Sequence, residues 1–178
     1  WPKADAQEQV LAARAGLAVH EKRFADAERL LKQGLARYND DNLFRERLLW
    51  LYIDQGRTAD MAPLLQQWRA RARNDNLLWL PFASASQMVG RTRESLAWYR
   101  LYLKANPQDW LVQAGYADAL EAAGSLEAAQ RLRLKLTRTA DLQPGVESSQ
   151  RYAMWLRLLA SSYSSRLAQS QALQWQDG

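Results

Sequence analysis

Apolar residues in this chain recur at intervals of three and four, and the recurrence breaks at a fixed distance. Near the C-terminal third it runs through Tyr116, Ala117 and Leu120, stops at Gly124-Ser125, and resumes at Leu126, Ala129, Leu132 and Leu136. Such spacing puts the apolar side chains on one face of a helix. Two antiparallel amphipathic helices joined at Gly124 are therefore predicted, meeting closely where Ala117 and Ala129 are small. Gly90 stands 34 residues before Gly124, Gly56 a further 34 before that, and Lys22 a further 34. The four turns read EKRFADA, QGRTADM, VGRTRES and AGSLEAA, in register.

The register divides the chain into helix pairs over about 8–41, 42–75, 76–109 and 110–143, with residues 1–7 as the tail of a preceding unit. Leu11, Ala15 and Ala18 mark the first helix, and Phe24, Ala27, Leu30, Leu31 and Leu35 the second. Phe44, Leu48, Leu49 and Tyr52 then pair with Met61, Leu64, Leu65 and Trp68. Trp79, Phe82, Ala83 and Val89 pair with Leu96, Tyr99, Tyr102 and Leu103. Asn39-Asp40-Asp41-Asn42 is a turn cluster that supplies an N-cap. Pro63 is compatible with a helix starting near Asp60, where the missing N–H falls in the first turn. Pro81 is expected to kink its helix or delay its start. After Leu142-Gln143-Pro144-Gly145 the period lapses, and Tyr152, Trp155, Leu156, Leu159, Tyr163 and Leu167 predict an atypical helix or helices over 146–175. No segment alternates with period two, so no strand is predicted. The expectation is one repeat domain over 1–178.

These residues resemble the tetratricopeptide repeat family, whose period is 34 residues of helix–turn–helix. The likeness rests on Tyr116, Ala117, Leu120, Gly124, Leu126 and Ala129 in the fourth unit and Trp79, Phe82, Ala83, Gly90, Tyr99 and Pro107 in the third. Ala15, Phe24 and Ala27 carry it in the first, and Leu48, Tyr52 and Gly56 in the second; together it spans roughly three quarters of the chain. It implies an all-α tetratricopeptide-repeat solenoid, a right-handed superhelix of antiparallel helix pairs. The aligned positions Ala27, Met61, Ser95 and Ala129 are small or flexible, as close helix approach requires.

Composition narrows the function classes. The 178 residues are 48% hydrophobic, yet no run approaches the ~20 apolar residues that cross a bilayer. The chain opens at Trp1 without the charged and apolar regions of a signal peptide, and is expected to be a fragment or a processed form. Cysteine is absent, which removes disulfides and thiolate metal sites. The formal net charge is +5. Arg69, Arg71, Arg73, Arg91, Arg93, Arg100 and Lys104 stand against Asp75 and Glu94, so the middle of the chain carries a basic excess. Most of it is expected to be a solvated outer face, and no nucleic-acid-reading motif accompanies it.

Catalysis is not expected. His20 is the lone histidine and ends a helix beside Glu21. Asp118 and Glu121 are one turn apart but have no second carboxylate shell, Asp40-Asp41 lacks the further oxygen ligands of a calcium loop, and no phosphate loop is present. No cofactor and no metal are expected. The first helix of each pair is predicted to line a groove through Gln9, Ala12, Gly16 and Val19; Leu43, Glu46, Trp50 and Ile53; Leu77, Leu80, Ser84 and Gln87; and Leu111, Ala114, Asp118 and Glu121. It would change from apolar with an exposed Trp50 to acidic at Asp118 and Glu121. Arg91 and Arg93, in the turn of the third unit, are expected to be exposed and to steer an acidic partner. Lys and Asn clamps for a partner's C-terminus are missing from these positions. Trp68, Trp79, Trp98 and Trp155 are read as core, and Trp1, Trp110 and Trp175 as less easily buried.

The stretch QGRTADMAPLLQQWRA followed by LPFASASQMVGRTRESLAWYRLYLKANPQDW also resembles the periplasmic repeat region of the PelB family, the outer-membrane export proteins for Pel polysaccharide. That resemblance implies a non-catalytic scaffold on the periplasmic side of the outer membrane, in a bacterial exopolysaccharide export (biofilm) system. It implies a protein partner, a periplasmic deacetylase-hydrolase of the PelA type, and contact with the polysaccharide. A groove that binds polymer directly, and a cytosolic regulatory repeat module, are the alternatives.

Overall fold

The computed structural model describes residues 4–139. Among them are nine α-helices: α1 (Ala4–His20), α2 (Phe24–Arg37), α3 (Leu43–Asp54), α4 (Thr58–Gln67), α5 (Arg69–Asn74), α6 (Trp79–Met88), α7 (Thr92–Ala105), α8 (Trp110–Ala122) and α9 (Leu126–Thr139). A 3-10 turn, Asn76–Leu78, precedes α6, and no strand occurs among these residues. The helices predicted over 146–175, and Trp1, Trp155 and Trp175, lie outside the described residues.

The backbone is left-handed at Lys22 (φ 58°), Gly56 (φ 64°), Gly90 (φ 80°) and Gly124 (φ 79°), the four positions the period predicts. Each closes a helix in the same way. Gly56 N–H donates to the Ile53 carbonyl at 3.1 Å and Arg57 N–H to the Tyr52 carbonyl at 2.9 Å. Gly90 and Arg91, Gly124 and Ser125, and Lys22 and Arg23 repeat the pair of bonds at 2.8–3.1 Å. This double closure satisfies carbonyls that a helix end leaves open, and it requires positive φ at the corner residue. The next helix starts at once, with its fourth residue donating back to the residue after the corner: Ala27 to Arg23, Met61 to Arg57, Ser95 to Arg91 and Ala129 to Ser125, at 3.0–3.2 Å.

A second series sits 34 residues apart at the other helix ends. Asp41 accepts from Leu43 N–H at 3.0 Å, Asp75 from Leu77 N–H at 3.0 Å and Asp109 from Val112 N–H at 3.1 Å. Asp75 also accepts from the Asn42 side chain at 2.7 Å, which ties two loops one repeat apart.

Helix pairs close on small residues. Ala15, Leu49, Ala83 and Ala117 on the first helices and Ala27, Met61, Ser95 and Ala129 on the second are all at most 1% exposed. At the third pair the Ser95 hydroxyl donates to the Ala83 carbonyl at 2.8 Å, so the polar atom is satisfied in the joint. Neighbouring pairs interlock by residue shape. The Phe44 ring of α3 occupies the space a side chain would fill at Gly34 of α2, and stacks on Tyr38 at 6.0 Å. Phe82 meets the edge of Trp98 at 5.1 Å.

The chain divides into two compact units, Trp1–Tyr102 and Leu103–Gly178, and α7 runs across the boundary. The first holds α1 to α6 and most of α7. In the second, α8 packs on α9 around Trp110, Ala114 and Leu136, with Leu132 against them.

Several expectations about position need revision. α1 begins at Ala4, so Ala4 to Gln7 belong to it and not to a preceding unit. α4 begins at Thr58, which puts Pro63 in its second turn. The helix continues past the proline, and is interrupted instead at Trp68, before α5. Pro81 is the third residue of α6, whose start is delayed by the 3-10 turn, so its missing N–H is one that a first turn leaves unpaired anyway. Trp110, read as hard to bury, is 5% exposed and donates its indole N–H to the Leu136 carbonyl at 3.1 Å.

Two substitutions test this construction by chemical denaturation. Lys22→Gly removes the steric cost of a Cβ at a left-handed corner and is expected to stabilise the chain by roughly 0.5–1 kcal/mol. Gly34→Ala would force the Phe44 ring out of place, and the expected loss of about 1–3 kcal/mol exceeds the gain in helix propensity.

Candidate functional site

Between α1 and α3 a recess of about 280 Å³ opens with Leu31 of α2 in its wall. Ala15, Leu31 and Leu51 are buried and make its apolar floor, while Glu46, Arg47 and Asp54 give it a charged rim. Four residues that the sequence placed in the groove line it together: Gly16, Val19, Glu46 and Trp50. Gly16 keeps this wall low, since a Cβ there would stand 3.6 Å from the Arg47 guanidinium. Trp50 is half-buried and hydrogen-bonds to Glu46, one turn earlier on α3. Burial raises the Glu46 carboxyl above its ordinary pKa, against the opposing pull of Arg47 and the Trp50 hydrogen bond. An apolar hollow with one aromatic wall and a desolvated carboxylate suits an apolar side chain from a partner, held beside a donor.

Other groove expectations fare differently. Ala12 and Ala114 are buried, so neither faces a groove. Leu77 and Leu111 are exposed, and Leu80, Ser84 and Gln87 are half-buried. Asp118 and Glu121 do not form a free acidic end. Both hold Arg133 of α9, its Nη2 at 2.7 Å from Asp118 and 2.5 Å from Glu121. Arg133 is itself buried, so the two carboxylates serve as its counter-ions.

Arg91 and Arg93 also part company. Arg93 is exposed as expected. Arg91 is half-buried, with Nη2 donating to the Ala62 carbonyl of α4 at 3.4 Å and Nη1 buried without a hydrogen-bond partner. It is therefore docked on the preceding repeat and does not steer partners from solvent. The same reach occurs one repeat earlier, where Arg57 Nη1 meets the Glu28 carboxylate of α2 at 2.6 Å. Arg57 also pairs with Asp60 at 2.8 Å and lies over the Tyr52 ring at 4.5 Å. Sequence reasoning treated these arginines as solvated charge. Their recurrence after each corner, at 23, 57 and 91, was the signal that they belong to the joint.

The rest of the basic middle is partly neutralised. Arg69 Nη2 bridges both oxygens of Glu94 at 2.7 and 2.8 Å, and Arg71 donates to the Asp40 carbonyl at 3.4 Å. Asp40 and Asp41 thus work as turn residues. His20 is exposed in the last turn of α1. No group of three or more His, Cys, Asp or Glu among the described residues is placed to hold a metal ion. No helix among them is long and apolar enough to cross a membrane.

Comparison with known proteins places this geometry. A family model for the tetratricopeptide repeat matches residues 2–141. No curated protein matches the chain. Among solved structures, a tetratricopeptide repeat protein from Parabacteroides merdae is similar, with 15% identity and a TM-score of 0.43 over 91% of this chain and 75% of that one.

Glu28 gives the joint a pH signature. Its carboxyl is held down at about 2, chiefly by the Arg57 hydrogen bond, with Lys32 and Tyr52 adding to it against partial burial. A carboxyl depressed in the folded state stabilises above its unfolded pKa, and that contribution fades as pH falls from the ordinary carboxylate range through about 2. Urea titrations between neutral and acid pH are expected to show roughly 1–3 kcal/mol more acid loss in the wild type than in Glu28→Gln.

Proposed function

Because the chain belongs to the tetratricopeptide repeat family, we propose that it is a non-catalytic scaffold whose α1–α3 recess receives an apolar side chain of a protein partner. The family's repeats generally mediate protein–protein interaction, and its members are typically scaffolds without catalysis. The observation that carries the assignment to this surface is the union of Gly16, Val19, Glu46 and Trp50 around one apolar hollow. Aromatic residues concentrate binding energy where they close a desolvated pocket.

The likeness of residues 55–110 to the PelB repeats supports a narrower reading. In it the scaffold works in the periplasm at the outer membrane, within exopolysaccharide export, and recruits the deacetylase-hydrolase of the PelA type. Direct capture of a cationic polymer has less behind it, since Asp118 and Glu121 are already engaged by Arg133.

Titration of variants against the purified modifying enzyme, and separately against the polymer, tests both levels. Trp50→Ala is expected to weaken the enzyme by about 2 kcal/mol or more, mainly through faster dissociation. Arg93→Glu is expected to slow association, with a loss that shrinks as salt rises. Arg91→Glu should lower the melting temperature instead, since it reverses a charge docked on α4. A folded Trp50→Ala that binds the enzyme like wild type would remove the recess from the site. Tight polymer binding without enzyme binding would replace the scaffold reading with the polymer one.

A further inference from the structure

On the opposite flank of α3 from Glu46 and Trp50 lies a second recess, of about 370 Å³, between α2, α3 and α4. Its wall includes Arg45, which is 4% exposed. Arg45 Nη1 donates to the carbonyls of Asn39 at 2.9 Å and Asp41 at 2.7 Å, and Nη2 donates to the Asn39 side chain. The guanidinium also lies 5.7 Å from the centre of the Trp68 ring. All these acceptors are neutral, and no salt bridge among the described residues reaches it. The acid and the other base in the wall are already matched: Asp60 to Arg57 at 2.8 Å, and Lys32 to Glu28 at 2.7 Å. Arg45 is thus a buried cation without a counter-ion, and its Nε is buried without an acceptor. Burial of this kind costs several kcal/mol unless charge and hydrogen bonds are both met. Burial, with the nearby Arg71 charge, accordingly lowers the Arg45 pKa.

We propose that this recess is a ligand site for a carboxylate, the side chain of a glutamate or aspartate on a short peptide, taken by Arg45 beside the Trp68 ring. The wall supplies what such a group needs. Arg45 offers charge and an unused N–H, Leu48 and Leu64 cover the methylenes, and Gln67 stands at the exposed rim. A desolvated guanidinium favours carboxylate over a neutral amide of the same shape, because only the anion neutralises it. The site is independent of the α1–α3 recess and does not rest on what binds there.

The test is NMR titration of the full chain, following the Arg45 Nε–H and the Trp68 indole N–H. The probe is N-acetyl-glutamate N-methylamide, with the matched glutamine compound as the neutral control. Both signals are expected to shift and saturate with the glutamate probe and to stay still with the glutamine one. Gln67→Glu, an isosteric change on an exposed position, puts a like charge at the rim and is expected to weaken the probe at least about tenfold. Trp50→Ala is expected to leave the response unchanged, which separates this site from the partner recess. The proposal is overturned by equal response to the two probes, by no response, by inorganic phosphate binding more tightly than the carboxylate, or by a folded Gln67→Glu that binds like wild type.

Discussion

A residue held at positive φ once every 34 positions is the constraint on which the described structure depends. A helix can end in many ways, but the paired bonds seen after Ala18, Tyr52, Ser86 and Leu120 end it with a fixed reversal. The reversal is tight, so the second helix of each pair starts within two residues and lies against the first. Contact that close leaves room for Ala27, Met61, Ser95 and Ala129 and little else. Their burial is thus a consequence of the corner, and a larger residue there would work against four backbone hydrogen bonds as well as against packing. Three corners use glycine, for which the conformation costs little, while Lys22 accepts the strain of a Cβ.

The corner also explains why the arginine that follows it reaches backwards. Arg57 and Arg91 stand at the start of second helices and extend to positions 28 and 62, both 29 residues earlier. The first finds a carboxylate with Lys32 and Tyr52 around it. The second finds a backbone carbonyl, because Ala62 stands where Glu28 stood, and one of its nitrogens goes unpaired. The repeat preserves the reach of the side chain but not its reward. Unequal joints of this kind give a repeat array different local stabilities along its length, since each unit is held largely by its neighbours.

What was legible in the sequence follows from the range of each interaction. The corners and the small joint positions depend on residues within a few positions of one another, and a period of 34 exposes them directly. Asp118 and Glu121 were misread because their counter-ion, Arg133, lies on the next helix and looks like ordinary surface charge. Arg91 was misread for the same reason. A charged side chain carries no sign of whether it faces water or a neighbouring repeat, and burial decides that only after the helices pack. Trp110 shows the converse: a start-of-helix tryptophan is satisfied by the Leu136 carbonyl, a backbone partner that no side-chain pattern announces. Even so, the aspartates at 41, 75 and 109 and the arginines at 23, 57 and 91 kept the period. Recurrence in register is a better guide to a structural charge than local charge density.

The third helix shows how one element can carry two different surfaces. Glu46 and Trp50 fall about 40° apart around its axis, and Arg45, Leu48 and Tyr52 lie together on another flank. The first flank gives a hollow whose floor is apolar and whose carboxylate is only partly desolvated. The second buries a full positive charge among neutral oxygens. A fold that needed only stability would have little reason to keep Arg45, since an apolar residue of similar volume avoids the desolvation cost. Its loop bonds to Asn39 and Asp41 offset part of that cost, and they also fix where the guanidinium points. The remaining N–H therefore has no freedom to find its own partner elsewhere. An acceptor must come to it through the recess between α2 and α4, or the charge stays uncompensated.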